Sequence, residues 1–148
     1  MKKKILIAVP VIFLLLQLIP INRKNPEVKA DLIAEEKVKS VLKKSCYDCH
    51  SNETVYPSYS YIFPASVFLA HHVEEGREEL NFSEWENYTA KKKSRKAEEI
   101  IKELDKNDMP LFSYTLIHRD AVLSSEEKKQ LKSWAKGFSG EPEEKEEK

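Results

Sequence analysis

The sequence predicts an all-α protein, a bundle of about four helices preceded by an N-terminal membrane segment. Apolar residues recur at helical spacing in four stretches, and no stretch shows the alternation typical of a strand. Glycine, with 3 residues, and proline, with 7, are too few for a glycine-rich or collagen-like chain. The 148 residues fit one small domain. We expect the membrane segment at 1–24, the domain at 25–140 and a charged, disordered tail at 141–148.

The N-terminal segment begins with three lysines, Lys2–Lys4, and continues with an uncharged, mainly apolar run, Ile5–Ile21. A basic start followed by an apolar run is typical of a membrane-targeting element. No pair of small residues for a signal peptidase follows the run, which favours an uncleaved anchor over a cleaved signal peptide. Because the lysines would stay in the cytoplasm, we expect the domain on the periplasmic side of the bacterial cytoplasmic membrane. It would be anchored there by this helix, or secreted to the periplasm if the segment is cleaved.

Four amphipathic helices are predicted within the domain from their apolar spacing and their end signals. The sequence Asn25-Pro26-Glu27 is typical of a helix start, so we expect the first helix to begin there and to end at Ser45. A capping box, a serine followed three residues later by glutamate, opens the third and the fourth helix. The four predicted ranges are 25–45, 65–80, 83–107 and 124–138, with a break near residue 91 in the third.

The charge of the chain is unevenly distributed. The 25 basic and 25 acidic residues cancel over the whole sequence. Five basic residues precede position 26, so the remainder has 20 basic against 25 acidic residues and a net charge of −5 with histidine neutral. A nucleic-acid-binding protein normally has a basic surface that neutralises phosphates, and we therefore expect no nucleic-acid partner. An acidic domain weakly favours partners with a basic surface.

The pentapeptide Cys46-Tyr47-Asp48-Cys49-His50 indicates the chemistry of the protein. Two cysteines at this spacing can add to the two vinyl groups of one haem, and the next residue, His50, then lies under the iron. Haem c, covalently attached through Cys46 and Cys49, is therefore the preferred interpretation of the motif.

Other uses of a close cysteine pair remain open on the sequence alone. Zinc could take Cys46, Cys49 and His50, with His71 or His72 as a fourth ligand. The cysteines could also form a redox dithiol or a plain disulfide. Haem is preferred because the chain has only these two cysteines and a histidine follows them directly. Haem attachment needs reduced thiols outside the cytoplasmic membrane, so the targeting segment and the motif favour the same interpretation.

The second axial position decides what a haem would do, since a filled site transfers electrons and an open one binds small ligands. Met109 is the only methionine after Met1, and Pro110 favours an extended loop at that position. We expect Met109 to be the distal ligand, although a methionine can also simply fill a gap in the core. His72, on the apolar face of the second helix, is the alternative distal ligand.

Several parts of the chain resemble the bacterial haem-binding domain family defined by its CxxCH segment: Cys46–Pro57, His72–Arg77, Asn81–Trp85, and Met109-Pro110 with Tyr114. A helix leading into the cysteine motif and a later Met-Pro pair are also similar to the small monohaem c-type cytochromes. The resemblance covers roughly residues 30–137. It implies a cytochrome c-like bundle around one covalent haem c held by Cys46 and Cys49. It also implies His50 as the proximal ligand and Met109 as the distal ligand.

The preferred function is that of a monohaem cytochrome c, which carries single electrons between redox partner proteins. We expect an electron carrier rather than an enzyme, since no residue then acts as acid, base or nucleophile. One alternative is a haem-based sensor in which Met109 or His72 is displaced by a gas. Another is a peroxidase-like enzyme with an open distal site, in which His71 or His72 would act with Glu75.

Overall fold

The computed structural model describes residues 2–139, and this part of the chain is all-helical. Its α-helices are α1 (Lys2–Leu16), α2 (Glu36–Ser45), α3 (Tyr47–His50), α4 (Ala65–Glu79), α5 (Ala90–Lys106), α6 (Phe112–Thr115) and α7 (Ser125–Lys136). Short 3-10 helices lie at Ser58–Tyr61, Phe82–Asn87 and Arg119–Ala121. The tail predicted to be disordered, 141–148, lies outside the described residues.

The prediction of an N-terminal membrane segment is wrong. Within residues 2–139, no helix is both long enough and apolar enough to cross a membrane. Helix α1 has 15 residues and contains Pro10, whereas a span needs about 20 residues at a rise of about 1.5 Å each. The apolar sequence continues to Ile21, but its helix ends at Leu16, before Pro20. Pro20 has no N–H to donate to the carbonyl of Leu16, four residues earlier, and a proline ring clashes with a helical carbonyl at that position, so the helix does not continue.

The first predicted helix begins at Glu36 and not at Pro26. Residues 25–35 have no regular secondary structure and form backbone hydrogen bonds with the 3-10 helix Phe82–Asn87. The N–H of Ala30 donates to the carbonyl of Ser83 (3.0 Å), and the N–H of Leu32 donates to that of Phe82 (2.9 Å). Leu32 is buried. Without these long-range bonds, the backbone groups would be buried with no hydrogen-bond partner. The bonds therefore prevail over the local helix-start signal.

The third predicted helix is divided into two elements. Ser83 does not form the predicted capping box, because its Oγ accepts a hydrogen bond from the N–H of Asn52 (2.9 Å). Helix α5 has its own cap, in which Thr89 Oγ1 accepts from the N–H of Lys92 (3.2 Å). It ends at Asn107, whose left-handed backbone (φ 61°) tolerates asparagine better than most residues. The stop predicted at Asn107 is confirmed.

The other two helices agree closely with their predicted ranges. Helix α4 occupies 65–79, and α7 follows the capping box of Ser124 and Glu127, in which both reciprocal hydrogen bonds are present. The core that these helices enclose has Phe82 and Trp85 at its centre, both almost completely buried. Trp134 lies with its ring centroid 5.6 Å from that of Trp85, so α7 packs onto the core through an aromatic contact.

Candidate functional site

The cysteine motif forms a single helical turn, the cysteine turn, Cys46–His50. Cys46 is the residue between α2 and α3, and its carbonyl accepts hydrogen bonds from the N–H groups of Cys49 (3.2 Å) and His50 (2.9 Å). Tyr47 is buried and stacks on Phe82, with ring centroids 5.3 Å apart and planes 3° from parallel. Tyr47 therefore anchors the turn in the core, against which Cys46 also packs.

Two cavities adjoin the cysteine turn. Each has a volume of about 440 Å³, within the range of about 300–1,000 Å³ that is usual for small-molecule sites. Cys46, His50, Glu79 and Met109 line both cavities, so the two spaces share a wall. Cys49 lines the first cavity. The structure thus brings the four residues predicted to bind haem, Cys46, Cys49, His50 and Met109, to one place, while their roles as ligands stay predictions.

The imidazole of His50 is held by its Nδ1 atom. Nδ1–H donates to the carbonyl of Gly76 (2.8 Å) and lies 3.2 Å from the carbonyl of Leu80. Burial lowers the pKa of His50, an effect that these backbone carbonyls oppose. Nε2 has no hydrogen-bond partner within the described residues. A neutral imidazole oriented through Nδ1 leaves the lone pair of Nε2 for a metal ion.

Gly76 of α4 allows the close packing that produces this arrangement. A Cβ atom at position 76 would lie 2.6 Å from the carbonyl oxygen of Cys49 and 3.1 Å from its Cβ. No side chain fits at that distance, so glycine lets the α4 backbone touch the cysteine turn. The same residue supplies the carbonyl for His50. The sequence pattern placed Gly76 on the apolar face of its helix, and a glycine in mid-helix was the available signal for this contact.

Both cysteines are free and half-buried thiols. Burial raises the pKa of Cys46 to about 12, with a further contribution from Cys49. Burial likewise raises the pKa of Cys49 to about 11; Asp48 adds to this increase and Arg77 opposes it. The two residues are therefore protonated at neutral pH. Among residues 2–139, no group of three or more histidine, cysteine or acidic side chains is arranged to hold a metal ion.

The two candidate distal ligands differ in position. Met109 lies between α5 and α6, is 36% exposed and lines both cavities. His72 lies on α4, lines the first cavity, and its Nδ1–H donates to the carbonyl of Phe68 (3.0 Å). His71 is exposed and lines neither cavity, and its Nε2 lies 3.3 Å from Oε1 of Glu75, which lines the first cavity.

Lys96 is a charged residue of the site that the sequence pattern did not reveal. Its side chain is only 5% exposed and lines the second cavity together with His50. Its Nζ forms ion pairs with Glu99 (2.6 Å) and Glu79 (3.3 Å). A lysine is almost never buried without such partners. Its position on the same helix face as Ile100 was the one local sign that it points inward.

A second polar pair at the site joins residues that are distant in the sequence. The hydroxyl of Tyr114 donates to Asp48 Oδ2 (2.6 Å), and both residues line the first cavity. Burial and, after it, this carboxylate raise the pKa of Tyr114. Asp48 Oδ1 accepts from the N–H of Val55 (3.0 Å). Asp48 thus connects the cysteine turn to the segment that follows Met109.

The residues around the cavities fit a haem. A helical turn presents two thiols and a neutral imidazole, and a thioether lies on the wall of the same space. Apolar side chains complete the second cavity, as a flat and mainly apolar cofactor requires: Leu42, Leu80, Phe82, Ile100, Leu104 and Leu131. A fold and a site of this kind define the class of haem-binding proteins.

The comparison with protein families leads to the same class. The chain belongs to the haem-binding domain family, whose sequence model matches residues 11–137. The resemblance to this family that the cysteine motif and its neighbouring segments indicate is confirmed. No curated protein and no solved structure matches the chain significantly. The protein is therefore a haem-binding protein.

Proposed function

We propose that the protein is a monohaem cytochrome c that carries single electrons, and that it is a carrier rather than an enzyme. Cys46 and Cys49 would hold one haem c as thioethers, with His50 as the proximal ligand and Met109 as the distal ligand. The observation that carries the proposal is the common wall of the two cavities, where Cys46, His50 and Met109 all lie. The bound haem supplies a centre that gains and loses one electron.

The surroundings of His50 support a ligand role. Its Nδ1–H is fixed by the carbonyl of Gly76, and burial keeps the ring neutral by lowering its pKa. A carbonyl in this position orients the ring and makes the opposite nitrogen a better donor. A thioether opposite an imidazole favours a high reduction potential, which suits the oxidising end of an electron-transfer chain.

The proposal also includes a location and a type of partner. Haem is attached to cysteine pairs of this kind outside the cytoplasmic membrane, and we therefore propose the periplasm as the site of action. The net charge of −5 after residue 25 supports redox partner proteins with a basic docking surface. Such complementarity would mainly increase the rate of encounter and would be weakened by salt.

The test is the ferric absorption spectrum of the full chain produced together with haem-attachment proteins. We expect covalently bound haem and the long-wavelength charge-transfer band of a sulfur ligand. Met109→Ala should abolish the band and lower the potential. His72→Ala, which alters the other candidate on the cavity wall, is the matched control and should keep the band. Absence of the band from the unaltered chain, or its retention in Met109→Ala, would overturn the ligand assignment.

A second candidate function is a haem-based sensor with a displaceable distal ligand. The exposure of Met109 favours it, since 36% of this residue is accessible and α6, directly after it, contains no buried residue. Carbon monoxide binding by the reduced protein distinguishes the two functions. Slow or absent binding supports electron transfer, whereas rapid binding by the unaltered chain supports a sensor.

A further inference from the structure

The stretch that carries Met109 has little packing of its own. This methionine segment, Met109–His118, contains the four-residue helix α6. Phe112 and Ile117 are 76% and 63% exposed. A surface segment with few buried contacts opens locally at low free-energy cost. Its position therefore depends on the polar contacts that connect it to the rest of the molecule.

Within residues 2–139, two side-chain hydrogen bonds make this connection. Tyr114 donates to Asp48 (2.6 Å), and the hydroxyl of Tyr59 forms a hydrogen bond with His118 Nε2 (2.7 Å). The rings of Tyr114 and His118 stack, with centroids 4.3 Å apart and planes 13° from parallel. Tyr114 therefore connects the methionine segment directly to the cysteine turn. By stacking on His118, it also supports the residue that forms the second hydrogen bond.

Asp48 is a firm attachment point because it belongs to the cysteine turn. Its backbone carbonyl accepts from the hydroxyl of Thr54 (2.7 Å), and its Oδ1 accepts from the N–H of Val55 (3.0 Å). The remaining oxygen, Oδ2, receives the Tyr114 hydroxyl. A hydrogen bond to a carboxylate is stronger than one between neutral groups. One side chain between the two cysteines thus connects the turn bearing His50 to the segment bearing Met109.

We propose that Asp48 and Tyr114 are positioning residues for the distal ligand. By joining the two walls of the first cavity, the pair fixes the distance of Met109 from His50 and keeps the thioether at the iron. The proposal rests on the proposed function, because Met109 is its distal ligand. It assigns to the second variable residue of the cysteine motif a role beyond spacing the thiols.

The test uses the haem-loaded full chain with Tyr114→Phe, which keeps the ring stacked on His118 and removes only the hydroxyl. We expect unchanged covalent haem and helix content, a weaker sulfur-to-iron band, and carbon monoxide binding to the reduced protein accelerated about tenfold. Tyr88→Phe is the matched control, since the Tyr88 hydroxyl also forms a hydrogen bond, with the N–H of Asn81 (3.0 Å), but lines neither cavity. It should leave the band and the binding rate unchanged.

Variants of Asp48 separate positioning from general stability. Asp48→Ala removes this bond and also the one from the Val55 N–H, so it should weaken the band at least as much as Tyr114→Phe. Adding Tyr114→Phe to Asp48→Ala should change nothing further, because the bond between the two side chains is already absent. Asp48→Asn keeps an oxygen for the N–H of Val55 and gains an amide N–H that can donate to the Tyr114 hydroxyl, so it should keep most of the band. If Tyr114→Phe keeps the full band and the slow binding rate, the positioning role is wrong while Met109 ligation stands. If the unaltered chain lacks the band, the ligand assignment fails, and the positioning role fails with it.

Discussion

The two walls of the proposed haem site are built in different ways. The cysteine turn is part of the core: Tyr47 stacks on Phe82, and Gly76 lets a neighbouring helix touch the backbone of Cys49. The methionine segment lies at the surface and is attached by the side chains of Tyr114 and His118. Under the proposed function, holding the cofactor and adjusting its reactivity are assigned to parts of the molecule with different local stability. The first can be altered only at the cost of the fold, and the second can be altered alone.

The largest effect is expected from changes in the cysteine turn, where Cys46→Ala combined with Cys49→Ala should abolish covalent attachment of haem. A small domain has a small core, and a bound cofactor stabilises its folded state, so we expect the variant also to be poorly folded. Haem staining after denaturing electrophoresis and far-ultraviolet circular dichroism measure the two outcomes. A compact, helical double variant without haem would contradict the dependence of the fold on the cofactor.

Truncation of one leucine near each wall compares their contributions to stability. Leu42 lies in α2 just before the cysteine turn and is 1% exposed, whereas Leu116 follows α6 and is 46% exposed. Leu42→Ala should lower the free energy of unfolding by about 2–5 kcal/mol, because it leaves a cavity in the core. Leu116→Ala should lower it by less than about 0.5 kcal/mol. Denaturant titration measures both, and equal losses would remove the contrast between the walls.

Gly76→Ala should be destabilising by about 1–3 kcal/mol, since an added methyl must displace backbone of the cysteine turn. The imidazole of His50 should shift with it, because position 76 supplies its carbonyl partner. Gly137→Ala is the control: the added carbon would lie 3.1 Å from the carbonyl of Trp134, at the end of α7. Thermal unfolding of the haem-loaded protein measures the difference. A Gly76→Ala protein as stable as Gly137→Ala would show that the close packing is adjustable.

The smallest effect concerns the ion pair of Lys44 and Glu127, which joins α7 to the helix that precedes the cysteine turn. The hydrogen bond from Lys44 lowers the pKa of Glu127 below its usual 4.5. A carboxyl group whose pKa is lowered by folding adds stability above its unfolded pKa and loses this contribution as the pH falls through the folded pKa. Glu127→Gln keeps a side chain that can accept from the N–H of Ser124 but removes the charge.

We expect Glu127→Gln to cost at most about 1 kcal/mol at pH 7, because both partners are partly exposed. The difference from the unaltered chain should vanish in acid below the lowered pKa. Glu126→Gln, a loss of one charge in the same first turn of α7, serves as the control. Denaturant titrations at neutral and acid pH measure the effect. A difference that persists in acid would assign it to the cap and not to the ion pair.

The features that the sequence predicted correctly depend on short-range patterns. The capping box before α7 and the stop at Asn107 are properties of four or five consecutive residues, and both are confirmed. The grouping of Cys46, Cys49 and His50 likewise follows from a single helical turn. Local backbone preferences decide such features before any tertiary contact forms.

The features that the sequence missed depend on contacts between distant residues. Helix α2 begins at Glu36 and not at its predicted start, because backbone groups of residues 30 and 32 form hydrogen bonds with the segment at 82–86. Asp48 and Tyr114 are 66 positions apart, and no local pattern indicates their pairing. The prediction of an N-terminal membrane segment is wrong for a different reason: the apolar sequence continues past Pro20, whereas the helix ends at Leu16. Hydropathy alone therefore overestimated the length of an element whose end depends on backbone geometry.

The two variable residues of the CxxCH motif have a consequence for motif exchange. Tyr47 is inserted into the core, and Asp48 reaches across to Tyr114, so neither position is an interchangeable spacer. A CxxCH pentapeptide transplanted from a c-type cytochrome would keep the two cysteines and the histidine and lose these two contacts. During divergence within the family, a change at position 48 would be tolerated most easily together with a change at position 114. Whether a chain has the CxxCH motif and whether the two variable residues of that motif fit the rest of its fold are therefore separate properties.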